Sequence, residues 1–329
     1  MDTLSVDVWQ YIFKLACTDG GRTGAALSRT NKVFRSVSAP YRFYTVKLTR
    51  LKQIEAFLTT YEAAITTASQ TTPPSDAPHV RHLFLAFLPG QTDVIVLGHA
   101  FHFMDFHGWQ EDKDAWNERF VRILTRLFVH LAPSLHTLAV LQNYQVRLPY
   151  VRIEGGFPAL RELTLLGDDR MFFRAKLDPD TWLEPGDRQF YSAGPPPDRD
   201  ALAAAPLFPV LERLHLVDGD WHDTLHLWAV VVPRVVHLCV DDAKDQTCEA
   251  LRDLLVDSSN LAALRTLAVS PKPQGGVPWT ATAWAQVERA SVDVRIVPAE
   301  TMTQRKDLET YWPRRLEEQW QEHVSAGDP

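Results

Sequence analysis

The chain has 329 residues, 45% of them hydrophobic and 23% charged, and a formal net charge of -7 at pH 7. Acidic residues outnumber the 34 lysines and arginines, which argues against general nucleic-acid binding, since that requires clustered cations. No apolar run reaches the roughly 18 residues of a spanning helix, and no basic stretch followed by an apolar core marks a signal peptide, so no membrane partner is expected.

Residues 4 to 16 place Val8, Ile12, Leu15 and Ala16 three or four apart, which predicts a helix started by Ser5 or Asp7. The cluster Thr18 to Gly24 predicts a turn. Ala26 to Ser38 resumes a helical rhythm through Leu27, Val33, Phe34 and Val37. Asn31 suits the N-cap of a short third helix, and Pro40 closes a helical unit over 1–41. Arg42 to Leu48 alternates as a strand with Tyr44, Val46 and Leu48 on one side, and Leu51 to Ala64 reads as an amphipathic helix. Thr66 to Pro78 is polar and reads as a loop. Leu88 to Asp114 is rich in aromatics and histidine and reads as a degenerate segment. Ala115 to Leu131 has the clearest helical stripe, ended by Pro133. Asp168 to Pro206, with its proline-rich turns, reads as an insertion or a degenerate repeat. Thr247 to Leu255 and Ala281 to Arg289 predict shorter helices. The 301–329 tail predicts a charged helix over Thr303 to Val324, interrupted by Pro313.

Through residues 42–300 one phrase returns. Val80-Arg81-His82-Leu83-Phe84-Leu85 recurs as Leu135 to Val140, Leu160 to Leu165, Leu211 to Leu216, Val235 to Val240 and Leu264 to Val269. Weaker copies fall at Arg42 to Lys47 with Leu48, and at Ser291 to Ile296. Aliphatic residues hold the first, fourth and sixth positions. The steps between strong copies lie in the twenties or near twice that, the spacing of a leucine-rich-repeat solenoid. In a strand, alternate side chains face opposite ways. The fourth and sixth positions are therefore predicted to point inward and the third and fifth outward. Eight such strands predict an α/β fold with a parallel sheet and return helices.

Solenoids are usually binding surfaces. Outward positions Glu162, Arg213, His215, His237, Asp293 and Arg295 predict a polar sheet face of mixed sign. Asp168, Asp169, Asp218, Asp220, Asp241 and Asp242 follow successive strands, so a parallel stack is expected to gather them on one edge. Such an edge steers a basic peptide, although Asp is also a common turn and N-cap residue.

His99, His102 and His107 lie near Asp105, Glu111 and Asp112, a spacing that raises a metal site. Ordinary histidines in an aromatic-rich loop are the favoured reading, so neither metal nor cofactor is expected. No nucleophile elbow, phosphate-binding loop or dinucleotide fingerprint is present. Cys239 has His237 two residues away, but a mid-strand thiol is poorly placed as a nucleophile. Cys17, Cys239 and Cys248 form no disulfide framework, which suits a reducing cytoplasmic or nuclear compartment. Trp109, Trp116, Trp182, Trp221 and Trp228 are expected to pack in the return segments.

The opening unit resembles an F-box. Leu4-Ser5-Val6-Asp7-Val8 and Ile12-Phe13 stand at that motif's spacings. Ala26-Leu27-Ser28 and Val33-Phe34-Arg35 are similar to its second and third helices. With Ser38 to Phe43 following, the pattern resembles the F-box proteins of mushroom-forming fungi (basidiomycetes), which also carry leucine-rich repeats. Ser5 replaces the usual proline, Asp7 replaces the usual glutamate, and the Gly20-Gly21 loop is longer than in many F-boxes. The resemblance implies an irregular leucine-rich-repeat solenoid capped by a three-helix F-box-like unit. It implies docking on the Skp-family linker adaptor of a cullin–RING (SCF-type) ubiquitin ligase through Leu4, Val8, Ile12, Phe13, Leu27, Val33 and Phe34. An unknown protein substrate is then expected on the repeat surface, at Glu162, Arg213, His215, His237 and the strand-end aspartates. The chain itself would catalyse nothing. The alternatives are a repeat scaffold without a ligase, its helices serving as a plain cap, and a metal-dependent enzyme built on His99 to His107.

Overall fold

Eight strands lie side by side in strict sequence order, all parallel, in one open sheet. The computed structural model describes residues 4–71, 78–88, 106–142, 148–173, 199–256, 261–271, 292–297 and 308–326. The strands are β1 (Thr45–Leu48), β2 (His82–Phe87), β3 (Thr137–Gln142), β4 (Glu162–Leu166), β5 (Arg213–Val217), β6 (His237–Ala243), β7 (Thr266–Pro271) and β8 (Asp293–Ile296). Three helices precede the sheet: α1 (Val6–Ala16), α2 (Arg22–Thr30) and α3 (Lys32–Ser38). Between strands run α4 (Leu51–Thr71), α5 (Phe106–Leu131), α6 (Arg199–Ala204), α7 (Leu225–Val231) and α8 (Asp245–Val256), and α9 (Leu308–Ala326) closes the described chain. None of these helices is long and apolar enough to cross a membrane.

The register explains the repeated phrase. Val46, Leu83, Leu138, Leu163, Leu214, Leu238, Leu267 and Val294 stand opposite one another from β1 to β8. Leu83, Leu138, Leu163, Leu214, Leu238 and Leu267, with the residues two further on, enter one continuous core with α4, α5, α7 and α8. Each such side chain, fully buried, contributes about 1.5–3 kcal/mol. In the first, weak copy the inward residue is Val46 rather than Thr45, so that phrase begins one residue later than its sequence suggests. Glu55 and Glu62 on α4 pair with Arg119 and Arg126 on α5, which fixes the two return helices against each other.

The outward face departs from expectation. Phe84, Ala86, Ala139, Leu141, Leu166 and Val217 form a second apolar cluster, covered by Trp312, Leu316, Trp320 and Val324 of α9. Those four residues are spaced four apart, so they form one stripe along the helix. The helix reaches from Asp242 on β6, which accepts the Trp312 Nε1–H at 2.5 Å, to Lys47 on β1, which pairs with Glu317. Pro313 was expected to interrupt this helix. It lies inside it. The lost backbone bond is offset by the packing of Trp312 and Leu316 on either side.

Three further boundaries differ. The segment after Ala64 continues as helix to Thr71, and there the hydroxyls of Thr66, Thr67 and Ser69 are satisfied by carbonyls four residues back. Helix α2 begins at Arg22, inside the expected turn, where Asp19 accepts the Thr23 backbone N–H at 2.9 Å and its hydroxyl at 2.7 Å. Helix α5 starts at Phe106, within the segment read as degenerate. The helix expected over Ala281 to Arg289 and most of the Asp168 to Pro206 stretch lie outside the described residues. Trp221 and Trp228 are buried as expected and Trp116 packs against the core.

Candidate functional site

The N-terminal unit is built around three rings. Trp9, Phe13 and Phe34 meet with centroids 5.4–5.6 Å apart. Ser5 caps α1 and Asn31 caps α3, with the Phe34 N–H donated to Asn31 Oδ1 at 2.8 Å. Arg35 donates its Nε–H to the Ser28 carbonyl, tying α3 to α2. The unit sits close against the start of the sheet: a Cβ on Gly24 would lie 2.4 Å from the Arg42 carbonyl oxygen, so only glycine permits that approach.

Helix α1 therefore has two apolar stripes. Phe13 and Cys17 face inward and are buried. The predicted stripe of Val8, Ile12 and Leu15 faces away from the unit. Of the residues predicted to dock, Leu4 (45% exposed), Val8 (43%), Ile12 (38%) and, on α3, Val33 (55%) are open. Phe13 is only 3% exposed and belongs to the core. Leu27 and Phe34 are half-buried. Tyr11 and Leu15 share the open face, Val6 is exposed at the start of α1 off that stripe, and none of the three was among the predicted docking residues; Tyr11 lies three residues after Val8 and four before Leu15, a spacing that extends the stripe. Seven of the ten exposed large hydrophobics among the described residues lie between Leu4 and Val33.

The predicted acidic edge is largely occupied from within. Asp169 and Asp242 are buried, at 4% and 1% exposure, and so correct the expectation that both reach an accessible edge. Asp169 Oδ2 accepts the Thr224 hydroxyl at 2.5 Å and the Trp228 Nε1–H at 2.7 Å. Asp242 sits at a bulge in β6, with a left-handed φ of 53°, which turns its carboxylate onto Trp312. Asp168 pairs with Arg170 and Asp220 with Lys244. Asp218 takes the turn conformation, with φ of 45°. Glu162 accepts from Arg213 at 2.8 Å and lies 2.9 Å from His323 of α9. His237, Asp293 and Arg295 stay exposed at the far half of the same face. His215 Nε2 meets Asp241 Oδ2 at 2.9 Å.

Burial raises all three thiols, Cys17 to about 11 and Cys239 and Cys248 to about 12, with nearby carboxylates adding to the effect. None is an activated nucleophile. His99, His102 and Asp105 lie outside the described residues, and of His107 only its place in α5 is described. Set against known protein families, curated proteins and solved structures, the chain gives no significant match to any of them.

Proposed function

We propose that the chain is a substrate-recruiting F-box subunit of a cullin–RING ubiquitin ligase. The observation that carries this reading is the open apolar stripe of α1 through Val8 and Ile12, with Val33 of α3 likewise exposed. In the proposal this stripe docks on the Skp-family linker adaptor, and covering it supplies the hydrophobic part of the affinity. The parallel ladder of aliphatic residues supports reading the sheet as an irregular leucine-rich-repeat solenoid. Its polar half-face at β5 to β8, around Arg213, His237, Asp293 and Arg295, then holds a protein substrate. The ligase's other subunits perform the chemistry, in the cytoplasm or nucleus.

The test is co-expression with a fungal linker adaptor, followed by pull-down and size exclusion. Ile12→Asp and Val8→Asp are the controls, because both positions are exposed and neither substitution charges the core. A stable complex lost in both variants supports the reading. A folded, monodisperse wild type that forms no complex overturns it and leaves a repeat scaffold whose stripe meets another protein.

A further inference from the structure

His215 on β5 and Cys239 on β6 stand directly opposite in the register, on the outward face. Asp241 follows Cys239 by two residues and so shares that face. One donor atom of each lies within 4.8 Å of the other two. All three are half-buried, beside the end of α9 that carries Trp312 and Arg315.

We propose that His215, Cys239 and Asp241 form a three-ligand site for a borderline-soft divalent cation of the zinc class, with its fourth position open. Imidazole, thiolate and carboxylate are the zinc donor types, and three protein ligands with one open position is the pattern of reactive rather than purely structural zinc. Thiolate disfavours magnesium and calcium. Tetrahedral zinc with ordinary bond lengths sets its ligand atoms roughly 3.3–3.6 Å apart. His215 Nε2 and Asp241 Oδ2 are now 2.9 Å apart, and Cys239 Sγ and Asp241 Oδ2 3.9 Å. These two separations need to change by roughly half an ångström or less, and the imidazole nitrogen and the sulfur lie within 4.8 Å of each other. Binding replaces the Cys239 S–H proton, which passes to solvent. The thiolate and carboxylate then carry two negative charges against the cation's two positive ones. Arg315, stacked on Tyr311 and Trp312, is the cation felt at Cys239: it favours the thiolate while opposing the metal.

A Cys–His–Asp nucleophile is a poorer reading of the same residues. Asp241 stands as hydrogen-bond partner to both the imidazole and the thiol, whereas a catalytic relay needs the imidazole against the sulfur. This site does not depend on the ligase reading.

The test uses the full chain, stripped with a chelator and titrated with Co²⁺ as a spectroscopic probe. Stoichiometric uptake with tetrahedral ligand-field bands and a thiolate-to-cobalt charge-transfer band, displaced by Zn²⁺, is expected. Cys239→Ser is expected to remove the charge-transfer band. Cys239→Ser, His215→Gln and Asp241→Asn are each expected to weaken binding by more than the roughly 10–100-fold that loss of a supporting contact costs. Cys17→Ser and Cys248→Ser are expected to leave the spectrum unchanged. Circular dichroism monitors folding throughout. A folded wild type without the charge-transfer band, or an equal band in Cys239→Ser, overturns the proposal.

Discussion

Asp169→Asn separates the two things that Asp169 does. Its Oδ2 accepts from Thr224 and Trp228 and so ties the chain after β4 to the chain after β5. Complete burial, reinforced by neighbouring Asp168, raises its carboxyl from 3.8 to about 7, although those two hydrogen bonds and Arg170 pull the other way. Asparagine keeps an acceptor oxygen for both donors and removes the ionisation. In the unfolded chain Asp169 gives up its proton near the ordinary carboxylate value, while the folded chain holds it to about pH 7. Between those limits the folded state binds more protons, so stability falls as pH rises. The loss starts above the unfolded pKa and levels off once the folded carboxyl has ionised; over the whole window it amounts to about 4 kcal/mol. The assay is urea unfolding followed by tryptophan fluorescence, from about pH 4 to about pH 8. The difference between wild type and Asp169→Asn isolates this one group from all others that titrate. The variant is expected to gain on wild type steadily across the window and to be the more stable protein at its upper end. Parallel pH curves for the two proteins would refute the reasoning.

Leu163→Ala removes a ladder residue of 1% exposure and is expected to cost about 2–5 kcal/mol in the same unfolding assay. Trp320→Ala strips α9 of the ring that packs on Phe84, with centroids 5.2 Å apart; a loss of about 3–5 kcal/mol and increased binding of a hydrophobic dye are expected. Phe13→Ala, also monitored by unfolding, is expected to cost about 3–5 kcal/mol. By contrast, Ile12→Ala is expected to stay near 0.5 kcal/mol, roughly the range of surface substitutions, because the two neighbours lie on opposite stripes of α1.

Part of this protein was legible because it is local and periodic. A residue facing the core recurs two positions later in each strand from β1 to β7, so the spacing of Leu163 and Leu165, or Leu214 and Leu216, stated both strand and orientation. The same holds for Asn31, whose capping chemistry needs only the next three residues. Even the stripe Val8, Ile12, Leu15 was visible as a face of a helix. Whether that face is buried or open depends on which stripe finds partners, and Trp9, Phe13 and Phe34 chose by meeting one another across α1 and α3.

The rest depends on residues far apart in the chain. Sequence spacing determined the eight-stranded parallel ladder and its inward leucines. Tertiary structure alone decided that α9 lies across the outward face, because Phe84, Leu141 and Val217 are matched there by Trp312, Leu316 and Trp320, which come more than 90 residues later. It alone turned Asp169 and Asp242 from an expected edge into buried acceptors, since Trp228 and Trp312 each needed one for the indole N–H. It also brought His215 beside Cys239 and Asp241, a meeting set by strand register and by no motif in the chain.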